Sequence, residues 1–75
     1  MSYVKVLFPE PRDVFFDDEW QGSNYAASGK LRALYINAGP HTFRLGGPNV
    51  DPPEQDVDVP ERPILDPFPV EFKKR

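Results

Sequence analysis

The chain of 75 residues has no cysteine, which removes disulfides, thiolate zinc ligands and nucleophilic or redox thiols together. It leaves the compartment open. No apolar run approaches the roughly 20 residues of a membrane-spanning helix, and the start Met1-Ser2-Tyr3 leads into a strand pattern without the basic segment and apolar core of a signal peptide. Two origins fit: a protein kept in the cytoplasm, or a domain excised from a longer exported bacterial protein with Met1 added for expression. A basic stripe is also missing. Lys and Arg number 9 against 12 Asp and Glu, for a net charge of −3, and a phosphate backbone demands clustered cations to displace its counterions. Nucleic acid is therefore not an expected partner. Lys73-Lys74-Arg75 reads as a solvated tail or the trimmed end of an expressed fragment.

Helical periodicity is absent too. Ten prolines each fix φ and remove a backbone donor, and no proline-free window carries a helical pattern. Ten aromatics nevertheless argue for a folded chain, because each carries a large apolar area to bury. A single domain over residues 1–75 is expected, burying only about 60% of its unfolded surface, with stability of roughly 5 kcal/mol.

Strand patterns fill that space. Tyr3 to Phe8 sets Val4, Val6 and Phe8 against Tyr3, Lys5 and Leu7, so both faces are largely apolar, which fits either a central position or an edge packed under neighbouring loops. Pro9 and Pro11 end this first strand. Asp13 to Asp17 forms a second, with Val14 and Phe16 on one face and Phe15 on the other, and the short link makes the two antiparallel neighbours across a corner or hairpin. The acids Asp17-Asp18-Glu19 follow as a turn, and Ser23 to Lys30 reads as a loop. Leu31 to Ile36 and His41 to Leu45 read as a hairpin around Asn37-Ala38-Gly39-Pro40, the strongest in the chain. Residues 46–54 read as a proline-rich loop. Gln55 to Val59, with Asp56 and Asp58 outward, and a C-terminal strand over 68–73 containing Pro69 both suit sheet edges. The expected fold is all-β: a small antiparallel β-sandwich of six to seven short strands.

The segment Pro9-Glu10-Pro11-Arg12, then Val14 and Phe16, Asp17-Asp18, and Gly22-Ser23-Asn24 resembles the opening motif of the PEGA domain family, which runs Pro-Glu-Gly-Ala, alternating valines, Asp-Gly, Gly-Thr-Pro. Leu34 to Leu45 continues the likeness, giving a PEGA-like motif over 9–45. Pro11 and Arg12 stand where the family has Gly and Ala, and Asp18 replaces the turn glycine, so that turn must use a conformation that Asp tolerates, the left-handed region being one. The resemblance implies a small β-sandwich serving as an accessory module in bacterial surface or envelope proteins, with no catalytic residue to carry over.

Candidate chemistry is sparse. Asp17-Asp18-Glu19 lacks the spacing of a calcium loop, and adjacent strand residues point to opposite faces, so a solvated turn is the expected reading. Glu54, Asp56 and Asp58 read as a protective charged edge. His41, the sole histidine, shares a face with Phe43 and Leu45, which favours a half-buried, hydrogen-bonded imidazole over a general base. No serine sits on a recognisable nucleophile elbow. No metal, cofactor or catalytic residue is therefore expected, and a small hydrolase ranks third among the readings.

The first reading is a non-catalytic structural or protein-interaction module with Phe15, Trp20 and Tyr25 as candidate contact surface. The alternative is a carbohydrate-binding module stacking sugars on the same aromatics. Trp20 taken alone reads first as a cap folded back on a core too small to close itself, ahead of a protruding contact. Exposed strands permit a dimer; no feature requires one.

Overall fold

The computed structural model describes residues 2–75; Met1 lies outside the described residues. Its backbone forms nine strands: β1 (Ser2–Leu7), β2 (Asp13–Phe16), β3 (Glu19–Ser23), β4 (Leu34–Ile36), β5 (Gly39–Leu45), β6 (Val50–Asp51), β7 (Glu54–Val59), β8 (Phe68–Glu71) and β9 (Lys73–Lys74). They make a three-stranded sheet in the order β4-β1-β8, a four-stranded sheet in the order β3-β2-β5-β7, and a short β6-β9 ribbon. Strands β1, β2, β4, β5, β7 and β8 contribute their inward apolar residues to one core. Val4 and Val6 from β1, Leu34 and Ile36 from β4, and Val70 from β8 meet Val14 and Phe16 from β2, Phe43 and Leu45 from β5, and Val59 from β7. Phe8 and Phe72, just beyond β1 and β8, complete it with Val50. The result is a small sandwich-like all-β domain.

Alternation gave the buried faces of β1, β2, β5 and β7 correctly, and β1 is central, one of the two positions its apolar faces allow. Both β7 and β8 are edges. Pairing departs from expectation in four places. First, β1 and β2 belong to different sheets, so the Pro9 to Pro11 segment turns the chain between layers. Second, the Leu31–Ile36 and His41–Leu45 hairpin does not form: β4 pairs with β1, while β5 runs between β2 and β7. Asn37 and Ala38 carry the chain across. Third, β1 and β8 are parallel, aligning Val4 with Phe68 and Val6 with Val70, where an antiparallel sandwich was expected. Period-two patterns are identical for either direction, so nothing local distinguishes them.

Fourth, the strands number nine among the described residues rather than six or seven. β3 escapes because Trp20 is its one large apolar residue. Its pairing with β2 shifts between Asp13 and Phe15, leaving Gln21 and Gly22 opposite Val14 as a bulge, and Gly22 takes φ +87° there. β6 lies within the expected 46–54 loop and pairs with β9, so Lys73-Lys74-Arg75 is not a free tail. Lys74 Nζ stands 3.1 Å from Glu10 Oε1, and the Arg75 amide donates to Asn49 O at 2.8 Å. The expected 68–73 strand is correspondingly split at Phe72, whose ring is buried.

Polar side chains tie the layers together. Asn24 is fully buried; its Nδ2 donates to Val6 O at 3.2 Å and its Oδ1 accepts the Arg12 amide at 2.8 Å. The buried Ser2 hydroxyl donates to Pro60 O and accepts the Arg62 amide, fastening the segment before β8 to β1.

Candidate interaction face

Asp17 and Asp18 have φ of 50° and 67°, so both central residues of the β2–β3 turn are left-handed. Two such residues mark the type I′ geometry whose twist matches a two-residue hairpin. The left-handed region open to Asp18 is the one it occupies, and Asp17 joins it there. Phe16 and Glu19 flank the turn, and Phe15 lies opposite Trp20 one step further. In such a hairpin the flanking pair exchanges hydrogen bonds, which makes Phe15 and Trp20 a non-hydrogen-bonded cross-strand pair on one face of the sheet.

That face points away from the core. Val14 and Phe16 are buried beneath the sheet, so Phe15 and Trp20 rise above it. Trp20 is 67% exposed, which rules out the core-capping reading. On its other side Phe15 lies opposite Arg44, whose guanidinium carbon stands 4.1 Å from the ring centroid, and Arg44 lies opposite Glu54. A row of Trp20, Phe15, Arg44 and Glu54 thus crosses all four strands. Arg44 Nη2 also reaches Asp18 Oδ1 at 3.7 Å, an exposed pair worth little by itself. Beside this row Thr42 donates its hydroxyl to Asp56 Oδ1 at 2.7 Å, and Asp58 lies opposite Pro40. Carboxylates dominate the periphery.

Two of the three sequence-derived contact residues are therefore brought together, and the third is elsewhere. Tyr25 is half-buried; its hydroxyl donates to Phe8 O at 2.6 Å and its backbone bridges Leu31. A phenol fixed in that way joins loop to core instead of protruding. Sequence reasoning did not single out Arg44, which alternation puts on the face of β5 opposite Phe43 and Leu45. Only the β2–β5 pairing reveals that Arg44 lies over Phe15, and that pairing spans residues far apart in the chain.

His41 sits at the margin of this sheet, half-buried and hydrogen-bonded. Its Nδ1 is 2.6 Å from Asp17 Oδ2 and its Nε2 is 2.7 Å from Asn37 O. Asp17 Oδ1 accepts the Thr42 amide at 2.9 Å. That backbone donor, followed by the imidazole, holds the Asp17 carboxyl below its usual range, while Asp17 raises His41 above the ordinary imidazole value. Both ring nitrogens face acceptors, so no lone pair is free to take a proton from a substrate. Among the described residues no group of three or more His, Asp or Glu is arranged to hold a metal, and no helix is long and apolar enough to cross a membrane.

No family model matches the chain, and neither does any curated protein or solved structure.

Proposed function

We propose that this chain is a non-catalytic interaction module, a PEGA-like β-sandwich accessory domain that docks a partner protein on the outer face of its four-stranded sheet. The observation that carries this reading is Trp20, two-thirds exposed on β3 and opposite Phe15, whose ring is already held by Arg44. An indole in water forgoes a large burial energy, and Trp and Arg are the residues that most often anchor protein interfaces. The Arg44 guanidinium covers Phe15 and leaves the indole as the free anchor.

Charge narrows the partner. Asp13, Asp18, Glu54, Asp56 and Asp58 lie on or around this face and outnumber its cations, Arg44 over Phe15 and Arg12 and Arg32 at the margins, so a cationic partner segment is steered toward it and an acidic one repelled. Trp20, the sole tryptophan, provides the readout. Titration with a panel of Lys/Arg-rich peptides is expected to give saturable fluorescence changes. Trp20→Ala should weaken the binding of the best peptide, followed by calorimetry, by about tenfold or more. Because the side chain is exposed, the same substitution should leave the thermal midpoint within a few degrees. Saturable quenching by a glycan panel, with none by the peptides, would favour the carbohydrate-binding alternative, and silence from both panels would remove the docking role from this face.

A further inference from the structure

His41 has an acceptor at each ring nitrogen. A backbone carbonyl such as Asn37 O can only accept, and the Asp17 carboxylate accepts on both oxygens, from the Thr42 amide on one and the imidazole on the other. A neutral imidazole has one N–H and cannot satisfy two acceptors at 2.6 and 2.7 Å. Only the imidazolium can.

The groups it joins belong to separate parts of the chain. Asp17 lies in the β2–β3 turn, Asn37 in the link that carries the chain from β4 in one sheet to β5 in the other, and His41 on β5 itself. The depression around the ring is lined by Asp17, Pro40, Thr42, Asp56, Val57 and Asp58. Three of these are acids, from the turn and from β7, and none is a cation. Asp18, the remaining charge of the turn, is directed to Arg44.

We propose that His41 is a proton-operated clasp: as an imidazolium it ties the Asp17-Asp18 turn, and with it the strand bearing Trp20, to the β4–β5 link, and it releases that hold on deprotonation. When either ring nitrogen loses its proton, a lone pair confronts an oxygen at hydrogen-bond distance and one of the two contacts must open. Its regulatory meaning rests on the docking role of Trp20: an ordered hairpin presents the indole at low entropic cost, and a loosened one does not. The sign follows from the two groups. His41, raised by its partners, contributes stability that is complete below the ordinary imidazole value and is lost as pH climbs through the folded one. Asp17, depressed by its donors, contributes stability present above the ordinary carboxyl value and lost as pH falls through its own. The clasp is closed between those limits.

Nitrogen NMR of the full chain is expected to show both His41 ring nitrogens protonated at pH 6, with a titration midpoint above that of free histidine. Hydrogen exchange at the Thr42 amide, normalised for its intrinsic pH dependence, should accelerate severalfold as pH passes that midpoint, and backbone order at Asp18 and Trp20 should fall with it. His41→Gln and Asp17→Asn should each exchange fast at Thr42 with no pH step. A single protonated ring nitrogen at pH 6, flat Thr42 protection across the titration, or a step that survives in His41→Gln would overturn the clasp. None of these measurements uses a partner, so a failed docking experiment and a failed clasp are told apart.

Discussion

Phe43→Ala is expected to remove most of the chain's stability at room temperature, about 3–5 kcal/mol of roughly 5. Phe43 is fully buried on β5, the strand between β2 and β7, and packs edge-on against Phe16 with centroids 4.9 Å apart. Truncating such a ring costs about 3–5 kcal/mol through lost burial and the cavity left behind. A domain of this length has roughly 4–11 kcal/mol in total, at the general scale of stability per residue, and the roughly 5 expected here is toward the lower end. No disulfide adds to that sum. Phe43→Leu, which keeps most of the volume, is expected to melt cooperatively at a lower temperature, by about 1–2 kcal/mol. Amide proton dispersion and thermal circular dichroism check both, and a Phe43→Ala protein with native dispersion and a midpoint within a few degrees would contradict the core described above.

Asn24→Leu is the second large effect, and it comes from hydrogen bonding with little change in volume. The native amide serves the Val6 carbonyl and the Arg12 amide, joining β1 of one sheet to the segment that enters β2 of the other. No buried side-chain polar atom among the described residues lacks a partner, so this position has no slack. Leucine leaves both backbone groups buried without those partners, at about 1–3 kcal/mol each. With roughly 4–8 °C per kcal/mol in a domain this small, a loss of about 2–6 kcal/mol should lower the midpoint by roughly 10–50 °C. Asn24→Asp keeps the acceptor for Arg12 but sets a carboxylate against the Val6 carbonyl, so it should also destabilise. Its loss should grow with pH above the carboxyl range, which a purely steric defect would not do. Thermal melts of the two variants at acidic and neutral pH separate these causes.

The candidate face was legible in pieces. Phe15 on the side opposite Val14 and Phe16 was readable from alternation, and so was the acidic outer row of β7. The exposure of Trp20 was not, because β3 lacks apolar alternation and its bulge breaks the strand period at Gln21 and Gly22. Tyr25 looked available because its loop is polar, but a loop's composition says nothing of the Phe8 carbonyl that anchors the phenol. His41 was readable as a half-buried imidazole; its partner Asp17, 24 residues away, was not.

By itself the sequence determined that the chain is all-β, which residues of β1, β2, β5 and β7 turn inward, that the acids after β2 make a turn, and that β7 and β8 suit edges. These follow from local rules: a period of two, the φ that a turn demands, and the inability of proline to donate. Tertiary structure alone decided which strands meet, that β1 and β8 run parallel, and that the expected β4–β5 hairpin is divided between two sheets. Alternation specifies a side chain's side but carries no information about its neighbour, because a strand offers the same donors and acceptors to any partner on either edge. The choice among partners belongs to the whole core, where the burial of Phe43 and the partners of Asn24 come from elements far apart in the chain.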